Sequence, residues 1–206
     1  MIYEKALTKK GKELFSRFKS FDKFYLAGGT GLALQLGHRV SVDFDFFSCD
    51  KLPSNFLEHL EKEFKGDNVK PIVNNTGECT SLIYGVKVTF LHYPFPVLGK
   101  FVRHENINIL NAKEIGASKA YSIGRRREYK DFVDIYTLIK LGNVLLKNVV
   151  SLAETKYGDV FSPRLFLEQL VNMNDIEEME INFLKESIGK IEIENFLRNE
   201  VRKLRL

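Results

Sequence analysis

Hydrophobic and polar positions follow two different periods along this chain, and the change between them divides it. From residue 24 to about residue 110, short apolar runs bounded by glycine, proline and polar residues predict β-strands. From Ala112 onward, apolar residues recur at intervals of three and four, which is typical of amphipathic helices. The boundary between the two regions falls near residues 105–111.

These patterns predict an α+β protein with a small mixed β-sheet core and flanking helices in residues 1–108, followed by a helical region in residues 109–206. The predicted strands cover residues 24–28, 42–47, 69–74, 79–84, 86–92 and 107–110. The predicted helices cover residues 7–18, 31–36, 112–124, 129–141, 146–156, 163–172, 176–188 and 191–204, with a further helix after Pro53 that carries Phe56, Leu57, Leu60 and Phe64 on one face. A cleft between the two regions is the expected place for a functional site.

Composition narrows the class of protein. The chain has 206 residues, of which 44% are hydrophobic and 28% are charged, and its apolar runs are too short to span a membrane. The first residues lack the long apolar core of a signal peptide, so we expect a soluble, cytoplasmic protein without a membrane partner. Cys49 and Cys79 suggest neither a disulfide framework nor a zinc site. The net charge of +4 permits a nucleic-acid partner without requiring one.

The segment from residue 24 to residue 36 predicts a strand, a glycine turn and a short helix. The apolar run 24–27 suits a buried strand, and Gly28 and Gly29 allow a sharp turn and a close approach of the backbone to a ligand. Thr30 is predicted to be the N-cap of the helix, whose free N–H groups would attract a phosphate. The glycine spacing fits neither a dinucleotide fingerprint nor a P-loop. A tight turn without a ligand is the alternative interpretation.

Two aspartates follow on the next predicted strand. Because strand side chains alternate between faces, Asp43 and Asp45 should project to the same side. Val40, Val42, Phe44 and Phe46 are predicted to face the core. Neighbouring carboxylates repel each other, and a bound Mg²⁺ would relieve that repulsion because it prefers oxygen ligands. A solvated edge strand with two acids in water is the alternative.

Together these residues resemble a known family. Gly28-Gly29-Thr30, followed by Gly37-His38-Arg39-x-Ser41-x-Asp43-x-Asp45-x-Phe47, is similar to the AbiEii/AbiGii toxin family within the DNA polymerase β-like nucleotidyltransferase superfamily. The stretch from Ala117 to Tyr136 resembles the later block of that family, a lysine helix followed by an arginine and an Asp-x-x-Asp helix. The resemblance covers about residues 24–140.

The resemblance implies Mg²⁺-dependent transfer of a nucleotidyl group from a nucleoside triphosphate such as ATP to an acceptor hydroxyl, with Mn²⁺ as an alternative metal. It favours tRNA or another RNA as the acceptor, and it implies the toxin of a toxin–antitoxin or phage-defence pair, with a cognate antitoxin protein as partner. The implied catalytic residues are Asp43, Asp45, Lys119, Asp131 and Asp134, of which Asp43 and Asp45 would hold the metal. The implied nucleotide-binding residues are Gly28, Gly29, Thr30, His38, Arg39, Ser41 and Arg126.

The later block also has an ordinary structural interpretation. Asp131 and Asp134 lie beside the apolar face of the predicted helix 129–141, and this block taken alone slightly favours an ordinary charged amphipathic helix. Small residues flank Lys119, which lets another element pack closely while the lysine reaches outward. The arginines at 125–127 would suit either the end of a helix dipole or a phosphate clamp.

One position departs from the superfamily pattern. The superfamily places a third carboxylate on a later strand, and the matching position here is Thr89, which cannot act as a base. Asp131 or Asp134 could take over that role, or the metal alone could activate the acceptor. A catalytically inactive module that binds a nucleotide or RNA is therefore one alternative function, and a phosphotransferase toxin is another.

Overall fold

A mixed β-sheet forms the centre of the protein, for which a computed structural model describes residues 2–204. Within those residues, seven strands pair in the order β3-β4-β5-β2-β1-β7-β6. They are β1 (Tyr25–Leu26), β2 (Phe44–Ser48), β3 (Lys70–Asn74), β4 (Glu78–Ile83), β5 (Val86–His92), β6 (Val102–His104) and β7 (Ile107–Ile109). β2 is parallel to β5 and β1 is parallel to β7, whereas the other neighbours are antiparallel. The predicted mixed sheet is confirmed, and the edge strand β6 is an addition to the prediction.

Helices cover the sheet and make up most of the second half of the described chain. Across residues 2–204 they are α1 (Lys9–Phe15), α2 (Gly28–Leu36), α3 (Phe56–Glu63), α4 (Ala112–Ile123), α5 (Tyr129–Gly142), α6 (Leu146–Tyr157), α7 (Pro163–Val171) and α8 (Lys190–Lys203). Local capping sets several of the starts, since Thr8 accepts a hydrogen bond from the Gly11 N–H and Asn111 accepts one from the Glu114 N–H. The predicted α+β class is confirmed. Met1, Arg205 and Leu206, which the predicted regions 1–108 and 109–206 include, lie outside the described residues.

Two apolar clusters lie on opposite faces of the sheet, because alternate strand residues point in opposite directions. Leu26 and Phe46 belong to the cluster formed with α1 and α3, whereas Tyr25 and Phe47 contact the cluster formed by α4 to α8. Phe44 and Phe46 are buried as predicted. Val42 is 58% exposed, so its predicted core position is wrong, because β2 begins only at Phe44. The division of the chain between residues 108 and 109 stays a prediction.

The segment 176–188 is not the helix that its apolar spacing predicts. Its backbone instead pairs with the chain that leads to β2, where the Val40 N–H donates to the Asn182 carbonyl (2.8 Å) and the Leu184 N–H donates to the His38 carbonyl (3.0 Å). Arg39 and Phe183 form an antiparallel bridge between these two hydrogen bonds. Tertiary backbone pairing therefore replaces the local helical hydrogen bonds, although Ile176 remains buried.

In the described part of the chain, no single helix is long and apolar enough to cross a membrane. The stretches Tyr129–Gly142 and Leu146–Val160 satisfy those two requirements only when taken together, and the pair is bent by 119°.

Glu114, in the first turn of α4, holds the loop before β6 against the helices. Its buried carboxylate accepts hydrogen bonds from the Leu98 N–H (3.0 Å), the Gly99 N–H (2.7 Å) and the Lys156 ammonium (3.0 Å). Burial by itself raises the pKa of Glu114, but the hydrogen bonds from Leu98, Lys156 and Gly99 outweigh it, so the pKa is lowered. The buried pair of Glu114 with Lys156 on α6 therefore stabilises the fold as a charged pair.

We expect Glu114→Gln to cost about 3 kcal/mol at pH 7, because it leaves the Lys156 ammonium buried without its counter-charge. A lowered folded-state pKa means that the carboxylate contributes stability above its unfolded pKa and loses that contribution as the pH falls through the folded value. Urea unfolding should therefore show that the free energies of unfolding of the parent and of Glu114→Gln differ at pH 7 and become similar below about pH 4. The exposed Glu154→Gln serves as the control. A difference that stays constant with pH would contradict the role of the charge.

Candidate active site

A cavity of 790 Å³ lies between the face of the sheet that carries Asp45 and helix α4. Its walls come from the glycine turn, residues 39–43 that lead into β2, the sheet, α4 with the residues that follow it, and the segment 179–182, together with Thr8. Among the residues that line it are Gly28, Gly29, Asp43, Asp45, Lys119 and Arg126. The structure thus brings both blocks of predicted site residues to one place.

The glycine turn joins β1 directly to α2. Gly28 has a φ of 59°, in the left-handed region, and a Cβ at this position would overlap the carboxylate of Asp45. A Cβ on Gly29 would overlap the guanidinium of Arg39. The first turn of α2 leaves backbone N–H groups without helical partners, and they lie beside the cavity. The positive end of the α2 dipole is therefore a site where an anion can bind.

Thr30 lies inside the first turn of α2, so its predicted role as the N-cap is wrong, because the helix begins at Gly28. The Thr30 side chain is buried and shares a hydrogen bond of 2.7 Å with the Ser41 hydroxyl. The Thr30 hydroxyl also donates to the carbonyl oxygen of Asp43. These contacts hold the backbone of Asp43 against the start of α2.

Asp43 and Asp45 both line the cavity, while Phe44 and Phe46 are buried in the core. Burial raises the pKa of Asp45; the positive charge of Lys119 opposes that effect, and the neighbouring charge of Asp43 adds to it. Within residues 2–204, neither carboxylate forms a salt bridge with a basic side chain. Two adjacent acids that form no salt bridge within the described residues fit a divalent cation with oxygen ligands such as Mg²⁺.

A buried ionic network lies directly behind the glycine turn. Asp134 accepts hydrogen bonds from Arg39 Nε (2.8 Å) and Nη2 (3.0 Å) and contacts His38 Nε2 at 2.9 Å. Lys119 Nζ lies 2.5 Å from Asp131 Oδ1 and 2.8 Å from Asp134 Oδ2. The side chains of both aspartates are fully buried. Three parts of the fold, residues 38–39, α4 and α5, therefore meet through this network.

The charges in the network stabilise one another. Burial by itself raises the pKa of Asp134, but the charges of Arg39 and Lys119 and the hydrogen bond from His38 outweigh it and hold the pKa well below its usual range. Burial lowers the pKa of Lys119, and the two aspartates more than reverse that effect. Lys119 is therefore a permanently charged ammonium, held at the cavity wall by two carboxylates.

The predicted site residues occupy two layers. Gly28, Gly29, Thr30, Arg39, Ser41, Asp43, Asp45, Lys119 and Arg126 line the cavity. His38, Asp131 and Asp134 lie behind that layer and contact it through Arg39, Lys119 and Arg126. Among the described residues, Asp131 Oδ2 has no hydrogen-bond partner, and it lies 3.4 Å from Arg126 Nε. The roles of all these residues in catalysis or binding stay predictions.

Thr89 is the direct neighbour of Asp45 in the parallel pairing of β2 with β5, so the register places it where a third acid was expected. The Thr89 hydroxyl lies 3.1 Å from the Thr80 hydroxyl. The Thr80 hydroxyl in turn donates a hydrogen bond of 2.6 Å to the Glu78 carboxylate. Glu78 also lines the cavity, and sequence reasoning missed it. The two polar side chains at Glu78 and Thr80, two positions apart on either side of the apolar Cys79, were the available signal.

Gly28→Ala tests the contact between the turn and the aspartates. We expect a loss of about 1–2 kcal/mol in the free energy of unfolding, from the left-handed backbone. We also expect binding of Mn²⁺ or Mg²⁺, measured by calorimetry, to weaken at least about tenfold, which corresponds to 1.4 kcal/mol, because the methyl group displaces Asp45. Gly158→Ala is the matched control, since Gly158 has a φ of 54° and open space around its Cα. Equal metal binding in the two variants would count against a metal site at Asp45.

Two comparisons identify relatives of the chain by sequence. Residues 12–95 match the family described as nucleotidyl transferase AbiEii toxin of a type IV toxin–antitoxin system, a match that includes the glycine turn and both aspartates. A protein of Aquifex aeolicus (strain VF5), described as uncharacterized protein aq_aa25, is 31% identical over 180 residues, which cover 84% of this chain and 86% of the relative.

Solved structures from Helicobacter pylori share the fold. One is described as a proposed nucleotidyltransferase, with a TM-score of 0.58, 17% identity and coverage of 98% of this chain and 97% of that chain. The other is JHP933, with a TM-score of 0.55, 15% identity and coverage of 99% of this chain and 95% of that chain. The family match covers the glycine turn and the two aspartates that the structure brings to one cavity. The chain belongs to the AbiEii nucleotidyltransferase toxin family.

Proposed function

We propose that this protein transfers a nucleoside monophosphate from a nucleoside triphosphate to an acceptor hydroxyl, with RNA, and tRNA in particular, as the favoured acceptor. The observation that carries the proposal is the position of Asp43 and Asp45, which form no salt bridge with a basic side chain in residues 2–204 and share a cavity with the free N-terminus of α2. Phosphate oxygens would occupy the anion site of the helix, directly beside the carboxylates. The family's description as a nucleotidyl transferase supports the same reaction.

Asp43 and Asp45 would hold Mg²⁺, with Mn²⁺ as an alternative, because carboxylates are the ligands that these cations prefer. When bound, the metal supplies positive charge that neutralises the triphosphate. The N–H groups of Gly28 and Gly29 would orient the phosphates, and the Lys119 ammonium adds a fixed positive charge at the same wall. Asp131 and Asp134 keep that ammonium charged and in place, so they act as positioning residues.

The acceptor would approach across the basic side of the cavity. Arg125, Arg126, Lys87 and Lys130 line it, and the Arg126 side chain is 55% exposed. Exposed arginine and lysine side chains bind the phosphates of a nucleic acid without selecting its sequence. We therefore favour an RNA acceptor, and we propose a cytoplasmic toxin controlled by a cognate antitoxin protein, in line with the family description.

The proposal is tested with purified protein, Mg²⁺ and total cellular RNA, to which each α-labelled nucleoside triphosphate is added in turn. We expect label from one nucleotide to enter RNA, and no label when the same nucleotide carries the label at the γ-phosphate. Transfer of the γ-label instead would identify a phosphotransferase.

Thr89 stands beside Asp45, where the superfamily pattern has an acid, and this favours one further candidate function. In that function the protein is a non-catalytic module that binds a nucleotide or RNA. That candidate predicts Mg²⁺-dependent nucleotide binding without transfer of either label to RNA, protein or small-molecule acceptors. Calorimetry with each nucleoside triphosphate, run beside the labelling assay, separates it from the transferase.

A further inference from the structure

Glu78, the first residue of β4, is a half-buried acid in the same cavity as Asp43 and Asp45. In the described residues 2–204, it forms no salt bridge with a lysine, arginine or histidine. A carboxylate that faces a cavity without a counter-charge is available to a ligand or a proton.

The backbone of Glu78 is fixed by the turn between β3 and β4. The Asn75 side-chain oxygen accepts hydrogen bonds from the N–H groups of Gly77 (2.8 Å) and Glu78 (2.9 Å). Thr80 donates to Glu78 Oε1 at 2.6 Å. Among the described residues, no protein group donates to Oε2, so one carboxylate oxygen is anchored and the other is left for a substrate.

The sheet register places this carboxylate on the same wall as the paired aspartates. Glu78 lies opposite Leu91 in β5, and Leu91 lies opposite Phe47 in β2, two residues along the strand from Asp45. Thr80 and Thr89 are the residues in register with Asp45 itself. Neighbouring strands are about 4.8 Å apart, so Glu78 reaches the cavity two strands away from Asp45. The Thr80 hydroxyl, which holds Glu78, also forms a hydrogen bond of 3.1 Å with the hydroxyl of Thr89, the strand neighbour of Asp45.

The other carboxylates of the site are already engaged. Asp131 and Asp134 are buried and neutralised by Lys119 and Arg39. Glu128 lies 3.0 Å from the Lys130 ammonium and 3.4 Å from Arg126. A carboxylate held by a cation is a poor proton acceptor, because the ion pair stabilises its charged form.

The acids that remain differ in their surroundings. Asp43 and Asp45 are the proposed metal ligands, and Glu180 is exposed on the irregular segment 179–182. Glu78 alone combines a place on the sheet wall, an anchored oxygen and a free oxygen, within the part of the chain that the structure describes.

We propose that Glu78 is the proton acceptor for the acceptor hydroxyl, an inference that rests on the proposed nucleotidyl transfer. The acceptor oxygen forms a bond to the α-phosphorus, and the bond from that phosphorus to the bridging oxygen breaks. Pyrophosphate leaves with the electron pair of the broken bond. The hydroxyl proton passes to Oε2 of Glu78, which holds it until solvent exchange. Glu78 would thereby supply the base that the chain lacks at Thr89.

Glu78→Gln keeps the shape and the Thr80 hydrogen bond but removes the base. In single-turnover transfer of α-labelled nucleotide to RNA, we expect the rate to fall about 10²–10⁴-fold, the usual contribution of a general base. The Kd for the nucleoside triphosphate, measured by calorimetry with Mg²⁺, should stay within about twofold, a change of 0.4 kcal/mol. The exposed Glu58→Gln on α3 is the matched control and should transfer at the parent rate.

A second variant restores an acid to the wall. Glu78→Gln combined with Thr89→Asp should regain at least about tenfold of the lost rate, since Thr89 lies directly beside Asp45. The assignment of Glu78 as the proton acceptor would be overturned if Glu78→Gln transferred nucleotide at close to the parent rate. It would also be overturned if the loss of rate were explained by weaker binding of the nucleoside triphosphate. Failure of Thr89→Asp to recover any rate would also count against it. If the parent protein itself transfers no nucleotide, the proposed function fails and the role of Glu78 fails with it.

Discussion

Nucleotide transfer should fall by more than about a thousandfold when Asp43 and Asp45 are both replaced by asparagine, a loss of over 4 kcal/mol in transition-state stabilisation. The two side chains share one cavity wall and have no basic partner among the described residues. Asparagine keeps their size but removes the charge that a divalent metal needs. The measurement is single-turnover transfer of α-labelled nucleotide to RNA.

The same variant should remain folded. Burial raises the pKa of Asp45, with Lys119 opposing and Asp43 adding to that effect, so the ionised pair is not a source of stability. We expect the metal-free Tm of the double variant to equal or exceed that of the parent. Mg²⁺ should raise the Tm of the parent alone, because only a ligand that binds the native state stabilises it. If the double variant still transferred nucleotide at the parent rate, Asp43 and Asp45 would not be the metal ligands.

Asp134→Ala should destabilise the protein by about 3–5 kcal/mol, because it leaves buried cations without their shared counter-charge. For a chain of this size, the loss corresponds to a fall of about 10 °C in Tm. The carboxylate contacts His38, Arg39 and Lys119 at distances of 2.8–3.0 Å. Urea unfolding and thermal unfolding at pH 7 both measure this effect.

The stability difference should shrink in acid. The folded-state pKa of Asp134 lies well below its usual value, so its contribution is present at neutral pH and disappears as the pH falls through that lowered value. The exposed Asp159→Ala, which removes the same charge without a buried partner, should change the Tm little at any pH. If Asp134→Ala were as stable as the Asp159 variant, the buried network would not hold residues 38–39, α4 and α5 together.

The sequence by itself determined the α+β class, most of the strands and helices, and the pairing of a glycine turn with two aspartates. These features are local: the alternation in β4 and β5 and the helical spacing of α4 to α8 are set by neighbours within a few residues. The family match over residues 12–95 includes that turn and both aspartates, so the family too is indicated by the sequence.

Three features were decided only by the tertiary structure. The segment 176–188 has helical spacing, yet it gives up helical hydrogen bonds to pair with residues 38–40, which are distant in the chain. Arg39 and Lys119 were predicted as nucleotide-binding and catalytic residues, and only the structure shows that buried carboxylates from α5 hold both of them. The position of Glu78 in the cavity depends on strand register across β4, β5 and β2. Contacts between residues far apart in sequence depend on how the elements pack, and local pattern carries no record of that packing.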